Sequence, residues 1–208
     1  MSLIMKLSAA QVAAKLKFIN HYIKSNNPAD GSTVDANANI AHKNVATLAQ
    51  EIHKDINIQL NRALMTQKIT ELYDAELAQE YLRQLETHEI YKHDETHPFF
   101  PYCASITLYP FLLNGLTTLG GESLAPKHLD SFCGSFVNLV FTISAQFAGA
   151  CGTPEFLLYF DYFARRDYGA EYLTTHANEV ANHLQHVVYA LNQPAAARGY
   201  QSIFWNIS

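Results

Sequence analysis

Apolar residues recur along this chain mainly at the three- and four-residue intervals of amphipathic helices, with two stretches patterned as strands. Leu7-Ser-Ala-Ala-Gln-Val12 opens the first predicted helix: Ser8 is placed to act as N-cap, Gln11 completes a capping box, and Leu7 can staple onto Val12. Val12, Leu16, Ile19 and Ile23 then form one apolar stripe. Residues 25–32 read Ser-Asn-Asn-Pro-Ala-Asp-Gly-Ser, a loop in which Pro28 and Gly31 interrupt regular structure. This is the predicted hinge, dividing an N-terminal helix and linker at 1–30 from a main domain at 31–208. A second helix from near Asn39 should carry Val45, Leu48, Ile52, Ile56 and Leu60 inward. A third, from about Asp74, carries Leu77, Tyr81, Leu82 and Leu85.

Glu89 to Asp94 and Pro101 to Ile106 read as short extended pieces, joined by the stiff Pro98-Phe-Phe-Pro101 connection that disfavours helix on either side. After a Gly120-Gly121 loop, Pro126 is expected in the first turn of a largely buried helix. That helix bears Leu129, Phe132, Cys133, Phe136, Val137, Val140, Phe141, Phe147 and Ala148, with Leu139 and Ile143 widening its apolar surface. Thr153-Pro154 should start another helix, with Phe156, Leu157, Phe160 and Phe163, and Leu173, Val180, Leu184, Val187 and Leu191 mark the last. Asn192-Gln-Pro194 ends it, Ala195 to Gly199 makes a turn, and Gln201 to Ile207 alternates at strand period. The predicted class is helix-rich α/β, with strand content at 89–107 and 200–207.

With 208 residues, 49% of them hydrophobic, the chain can bury a sizeable core in one large or two small domains. Its 14 Lys+Arg against 19 Asp+Glu give a formal charge of -5, and no basic run exceeds two residues. A nucleic-acid partner is not indicated, although a local nucleotide site stays open. Cys103, Cys133 and Cys151 lack C-x-x-C spacing, which argues against a secreted disulfide framework and a zinc ribbon and fits a reducing cytoplasm. No signal-type apolar region opens the chain. The longest apolar stretch, Phe136 to Ala150, is interrupted by Asn138, Thr142, Ser144 and Gln146, so no membrane span is expected.

Several segments, in order, carry a resemblance. They are Asp35-Ala-Asn-Ala-Asn39 ahead of a long helix, His93-Asp94 followed by Pro101-Tyr-Cys103, Gly115 to Gly121, Ala125-Pro-Lys-His-Leu129, Ala145-Gln-Phe-Ala-Gly149, and Arg198-Gly-Tyr-Gln-Ser-Ile-Phe-Trp-Asn206. Together they resemble the large subunit of the anaerobic, class III ribonucleotide reductases, glycyl-radical enzymes that make deoxyribonucleotides without oxygen. The resemblance covers most of the chain and is weakest over residues 1–30, where the nucleotide-binding cone of such enzymes, with its on/off activity site, finds no match. It implies the N-terminal part of a ten-stranded glycyl-radical α/β barrel with long flanking helices, truncated at Ser208. It also implies a ribonucleoside triphosphate substrate, a deoxynucleotide effector, a homodimer, and an iron–sulfur/S-adenosylmethionine activating enzyme that installs the glycyl radical. The radical cysteine, the glycyl-radical loop and the structural zinc site of the family find no match here, so the chain alone is expected to be inactive.

Within that resemblance Cys103 matches the cysteine of the first barrel strand, which supplies hydrogen to the ribose as the 2′ hydroxyl leaves as water. Sulfur suits this step because its S–H bond exchanges a hydrogen atom readily with a carbon radical, in a water-poor cavity. The plain alternative is a buried cysteine acting as a small hydrophobe. Cys133, at helical spacing between Leu129 and Phe136, and Cys151, among small residues at a predicted helix end, are read as packing.

Asp35, Asn37 and Asn39 cluster short polar side chains before a helix, where anions are also favoured. A loop with an N-cap accounts for part of that cluster; the resemblance puts it near the substrate, together with His93, Asp94, Arg198 and Gln201. Arg198 could equally be a structural ion-pair partner. Gln201 and Asn206 lie an odd number of residues apart, so a regular strand turns at most one of them toward a cavity. Lys127 and His128 are weak effector candidates, with a solvated helix start as the alternative. His93-Asp-Glu-Thr-His97 imitates a metalloprotease zinc pair, yet Asp94 replaces the general-base glutamate and Pro98 stops a helix. His183 and His186 have no third partner at ligand spacing, and no metal site is predicted. A non-catalytic nucleotide-binding or dimerisation module of the same family is the other reading; a glycyl-radical lyase is disfavoured by the pairing of the Asp35–Asn39 and terminal motifs.

Overall fold

Reciprocal capping starts the first helix, α1 (Ala9–Lys24): the Gln11 N–H donates to Ser8 Oγ at 3.3 Å and the Ser8 N–H donates to Gln11 Oε1 at 2.9 Å. The computed structural model of the chain describes residues 7–24, 45–92, 95, 102–117, 122–147, 149–193 and 203–207. These fall into two compact units, Met1–Phe99 and Phe100–Ser208. The predicted loop at 25–32 lies outside the described residues.

In the first unit the α1 stripe is not the buried face. Val12, Leu16 and Ile23 are 42, 52 and 66% exposed, and the buried residue is Tyr22, tilted against Phe18 with 5.9 Å between ring centres. Lys15 sets the orientation: its ammonium donates to the Ile52 carbonyl and to the Asp55 carboxylate at 2.7 Å on α2 (Val45–Leu72). That hydrogen bond holds the Asp55 carboxyl below its ordinary range. On α2 itself Val45 and Leu60 are exposed rather than inward, and the deeply buried position is Asn61, 1% exposed. Both ends of the Asn61 amide are paired. Its Nδ2 donates to the Glu95 carbonyl at 2.9 Å and its Oδ1 accepts from Lys92 Nζ at 2.7 Å, while Arg62 forks onto the Glu95 carboxylate at 2.9 and 3.2 Å. A polar latch thus holds Lys92 and Glu95 to α2 where apolar contact was expected.

Asp74 caps α3 (Ala75–Glu86) by accepting the Leu77 N–H at 2.7 Å. That helix buries Ala78 and Leu85 and leaves Leu77 exposed. The extended piece expected from Glu89 is a turn through Ile90. His88 adopts a left-handed φ of 59°, and the Glu89 N–H returns to the Gln84 carbonyl at 2.9 Å, closing the helix end. Such a wrap leaves no backbone free for strand pairing at that point.

The second unit runs β1 (Ala104–Ser105), α4 (Tyr109–Asn114), α5 (Leu129–Ser144), β2 (Cys151–Gly152), α6 (Phe156–Tyr168), α7 (Tyr172–Thr175), α8 (Ala177–Leu191) and β3 (Trp205–Asn206). The three strands form one parallel sheet in the order β1-β2-β3, with Ala104 opposite Cys151 and Cys151 opposite Trp205. The sequence pattern missed α4 and β2. It also placed the start of α5 too early: Pro126 precedes the helix, and His128 and Ser131 form its capping box. Phe147 lies past the helix end. α6 begins at Phe156 and leaves Leu157 exposed, and Thr153, the predicted N-cap, instead uses its hydroxyl to accept from Trp205 Nε1 at 2.6 Å. The last predicted helix is broken at His176, which strands Leu173 on the separate turn α7.

Aromatic packing fills this unit. Phe132, Phe136 and Phe156 have no exposed surface, and ring centres lie 4.4 Å apart for Phe136–Phe156 and 5.0 Å for Phe132–Phe163. Trp205 of β3 meets the same cluster, edge-on to Phe156 at 5.0 Å. Phe136→Ala should therefore destabilise the unit by about 3–5 kcal/mol, against about 0.5 kcal/mol or less for exposed Leu157→Ala. Urea unfolding followed by the fluorescence of Trp205, the only tryptophan, measures both.

Candidate active site

Strand alternation divides the sheet's side chains between two faces. Ala104, Cys151 and Trp205 share a row by register; Cys151 is wholly buried, and Ile106, Ile203 and Trp205 continue that face into the aromatic core. The opposite row is Ser105, Gly152 and Asn206, and the same parity puts Cys103 on its side. Cys103, Ser105 and Asn206 are all exposed. The sheet therefore has one face committed to the core and one open face that carries the thiol.

Pairing between β1 and β2 is irregular just ahead of Ala104. The Ala104 N–H donates to the Ala150 carbonyl at 3.0 Å and the Ile106 N–H to the Gly152 carbonyl at 2.9 Å, as in a regular parallel ladder. In an unbroken ladder the Tyr102 carbonyl would next take the Ala150 N–H. Instead it accepts from Gly149, and the Ala150 N–H, one residue on, donates to Cys103 Sγ at 3.2 Å. Sulfur replaces a carbonyl as the acceptor, which fixes the thiol beside the sheet. Gly149 is required for this: a Cβ there would stand 2.7 Å from Cys103 Sγ and 2.7 Å from the Tyr102 carbonyl oxygen.

Along the open face the middle residue of the Ser105–Gly152–Asn206 row has no side chain, leaving bare backbone between two polar ones roughly 10 Å apart, two strand spacings. At the exits of β1 and β2, the Glu155 carboxylate accepts from Thr107 Oγ1 at 2.9 Å and from the Leu108 N–H at 2.6 Å, tying the end of β1 to the start of α6. Beside that tie a cavity of about 560 Å³ lies between the end of β1, α4 and α5, with Ser105 in its wall.

The remaining candidates fall elsewhere. Asp35, Asn37, Asn39, His93, Asp94, Arg198 and Gln201 lie outside the described residues. Cys133 is buried in α5, and burial, helped by Asp130, pushes its thiol up to about 12. Cys151 belongs to the central strand rather than to a helix end. Lys127 is exposed ahead of α5. His128 is that helix's N-cap, with Nδ1 3.0 Å from Asp167 Oδ1, and Asp167 Oδ2 accepts the Leu129 N–H at 2.7 Å. A carboxylate already occupies the positive end of α5, where an effector phosphate would compete with it. His183 Nε2 lies 3.1 Å from the Tyr168 hydroxyl, and among the described residues no three His, Cys, Asp or Glu side chains gather as a metal would need. Among the same residues no helix is long and apolar enough to cross a membrane.

Gly149 and Ser105 are the site residues that sequence reasoning passed over, and Asn206 was weighed only as an alternative to Gln201. Parity from Trp205, whose apolar bulk has to face the core, could have selected Asn206 as outward; the slip at Gly149 has no sequence signal beyond the small residues of 148–152.

The second unit is a helix-backed parallel α/β sheet with a thiol at the head of its edge strand β1. Residues 50–208 match the anaerobic ribonucleoside-triphosphate reductase family, and the chain belongs to that family. Solved structures similar to it include the anaerobic ribonucleotide reductase of Thermotoga maritima with glycerol in the active site, 26% identical, with a TM-score of 0.76 over 95% of this chain and 31% of that one. The same enzyme with MES in the active site gives a TM-score of 0.76 at 22% identity, over 100% of this chain and 36% of that one. In complex with dATP and CTP it gives 0.72 at 24% identity, over 100% and 36%. The chain thus spans about a third of the length of these enzymes. No curated protein matches it significantly.

Iodoacetamide at pH 8, read by peptide mass spectrometry, should label Cys103 and spare Cys133 and Cys151, because both buried thiols are unreachable and burial also holds that of Cys133 protonated. Gly149→Ala should push the Cys103 thiol off the Ala150 amide, since a Cβ would stand 2.7 Å from Sγ, and the rate of Cys103 labelling should change accordingly.

Proposed function

We propose that this chain is the thiol-bearing part of an anaerobic ribonucleotide reductase, that its strands begin the ten-stranded barrel of that enzyme, and that Cys103 is a catalytic residue. The observation that carries this reading is the placement of Cys103: at the head of β1, exposed on the open face, with its sulfur held by the Ala150 amide across the slipped register. A structural cysteine of the same chain looks different, as Cys133 and Cys151 show by their burial.

In this reading a ribonucleoside triphosphate lies with its ribose over the Ser105–Gly152–Asn206 row. Gly152 permits close approach of the sugar to the backbone, and Ser105 and Asn206 flank it with groups that both donate and accept hydrogen bonds. Cys103 supplies hydrogen as the 2′ hydroxyl leaves as water, and the Ala150 N–H keeps the sulfur from swinging away. A glycyl radical, installed by an iron–sulfur/S-adenosylmethionine activating enzyme elsewhere in the reductase, would supply the one-electron chemistry. Asp35, Asn37, Asn39, His93, Asp94, Arg198 and Gln201 remain proposed substrate contacts. A homodimer, a deoxynucleotide effector and a cytoplasmic setting belong to the same proposal; dATP in the specificity site of the Thermotoga maritima enzyme supports the effector. Since the chain covers 30–36% of most of these reductases, we expect no turnover from its 208 residues alone.

Anaerobic assay of the reductase that contains these residues, with its activating enzyme, tests the role of Cys103. Cys103→Ala should abolish nucleotide reduction, by roughly a thousandfold or more for a group the chemistry cannot replace, while nucleotide binding persists. Reduction that survives the substitution would overturn the reading.

A further inference from the structure

Behind the open face, at the exit of β2, Thr153 has no exposed surface. A hydroxyl sealed from water costs free energy unless it finds a partner, and a valine of the same shape would fill that space without the cost. Its partner is Trp205, whose indole Nε1–H donates to Thr153 Oγ1 at 2.6 Å. The backbone of Thr153 serves the same strand, since its N–H donates to the Asn206 carbonyl at 3.1 Å. Capping α6 is not what this hydroxyl does, because the N-cap there is Glu155. Thr153 therefore grips β3 twice, at the side chain of Trp205 and at the main chain of Asn206.

That double grip reaches the open face. Ladder bonds from Cys151, whose N–H donates to the Phe204 carbonyl at 2.9 Å, and from Thr153 set the spacing of β3 from β2. Two residues of strand are too few, however, to fix how β3 rolls about its own axis. Trp205 and Asn206 are neighbours on opposite faces, so a roll that shifts the indole against Phe136 and Phe156 also carries the Asn206 side chain out of its row with Ser105 and Gly152. Ring contacts tolerate such sliding, because aromatic pairs pack over a range of offsets. A hydrogen bond from the indole does not, since it fixes a distance and a direction together.

We propose that Thr153 is a positioning residue of the site: acting through Trp205, it sets where the Asn206 amide stands on the open face and hence the hydrogen bond that Asn206 offers a nucleotide. The inference rests on the reductase reading of that face. It goes further by giving a role to a buried side chain that cannot touch a ligand lying there.

One measurement on the 208-residue chain and one on the reductase that contains it test this role. Trp205 is the only tryptophan, so its indole N–H gives a single cross-peak in a proton–nitrogen NMR spectrum. Thr153→Val should shift that peak and speed its exchange with water roughly tenfold, and the Asn206 side-chain amide peaks should move with it, while Thr153→Ser keeps all of them near their wild-type positions. In the anaerobic assay with CTP, Asn206→Ala and Thr153→Val should each raise KM roughly five- to tenfold, about the value of one hydrogen bond to substrate, with kcat changed less. The double variant should be no worse than Asn206→Ala alone, and Thr153→Ser should restore the wild-type KM. Iodoacetamide labelling checks the fold, since Cys133 and Cys151 stay protected in a folded variant; if Thr153→Val exposes them, Trp205→Phe, which keeps a ring and drops the donor, takes its place. Additive effects of the Thr153 and Asn206 changes, an unchanged KM in Asn206→Ala, or a Thr153→Ser as impaired as Thr153→Val overturns the positioning role and leaves the reductase reading standing. Nucleotide reduction that survives Cys103→Ala in the same assay overturns that reading itself.

Discussion

The second unit depends on where β2 is pinned. Each strand of the sheet is two residues long, too short to hold a register through its own hydrogen bonds, so the register is set by side chains on one face. Cys151 lies against the core with no exposed surface, and beside it Trp205 is locked twice, by edge contact with Phe156 and by its Nε1–H to Thr153 Oγ1. A slip of one residue would bury Asn206 and expose Trp205. Because alternation leaves no freedom after that choice, the aromatic core decides which residues stand on the open face. The thiol is presented outward as a consequence of what is buried behind it.

Carboxylates reinforce this arrangement at the helix starts. Glu155 satisfies the first free amide before α4, and Asp167 satisfies that of α5, each reaching from an element distant in sequence. Such ends are common anion sites in nucleotide enzymes, and here two of them are already taken by the protein's own charge. The phosphates of a nucleotide would meet repulsion there, whereas a neutral base would not. Anionic ligands therefore meet occupied positions at these two helix starts.

Much of the helical plan was readable because its signals are local. Ser8 with Gln11, and Asp74 three residues before Leu77, act within one turn, and the Phe132, Phe136 and Val140 spacing survives intact as the buried face of α5. Burial of particular faces was harder. On α1 two apolar stripes compete, and the choice between them is made by Lys15 reaching α2, an interaction between residues 37 and 40 positions apart. On α2 the deepest residue is Asn61, which no hydrophobic pattern selects. β2 escaped notice because Cys151-Gly152 has neither length nor β-branched residues and becomes a strand only between two partners. Cys103 was singled out through the ordered family motifs as a candidate, while the place of its sulfur as a hydrogen-bond acceptor needs the neighbouring strand's amide and could not be seen in one segment.

Exposure of Cys103 bears directly on the chemistry proposed for it. A thiol that trades hydrogen atoms with carbon radicals has to be shielded from water and oxidants, yet among the described residues the open-face row offers a glycine, two small polar side chains and the rim of a cavity. Nothing on the core side can supply that shield, since alternation directs those side chains away. In the proposed reading, cover would come from above the sheet, by substrate lying across the row and by the rest of a reductase of the similar structures' length. A bare glycine between Ser105 and Asn206 fits such a lid, because it lets a sugar lie flat on the backbone with no side chain holding it off. The openness of this face is thus what a closed, substrate-filled barrel would use in the proposed reading.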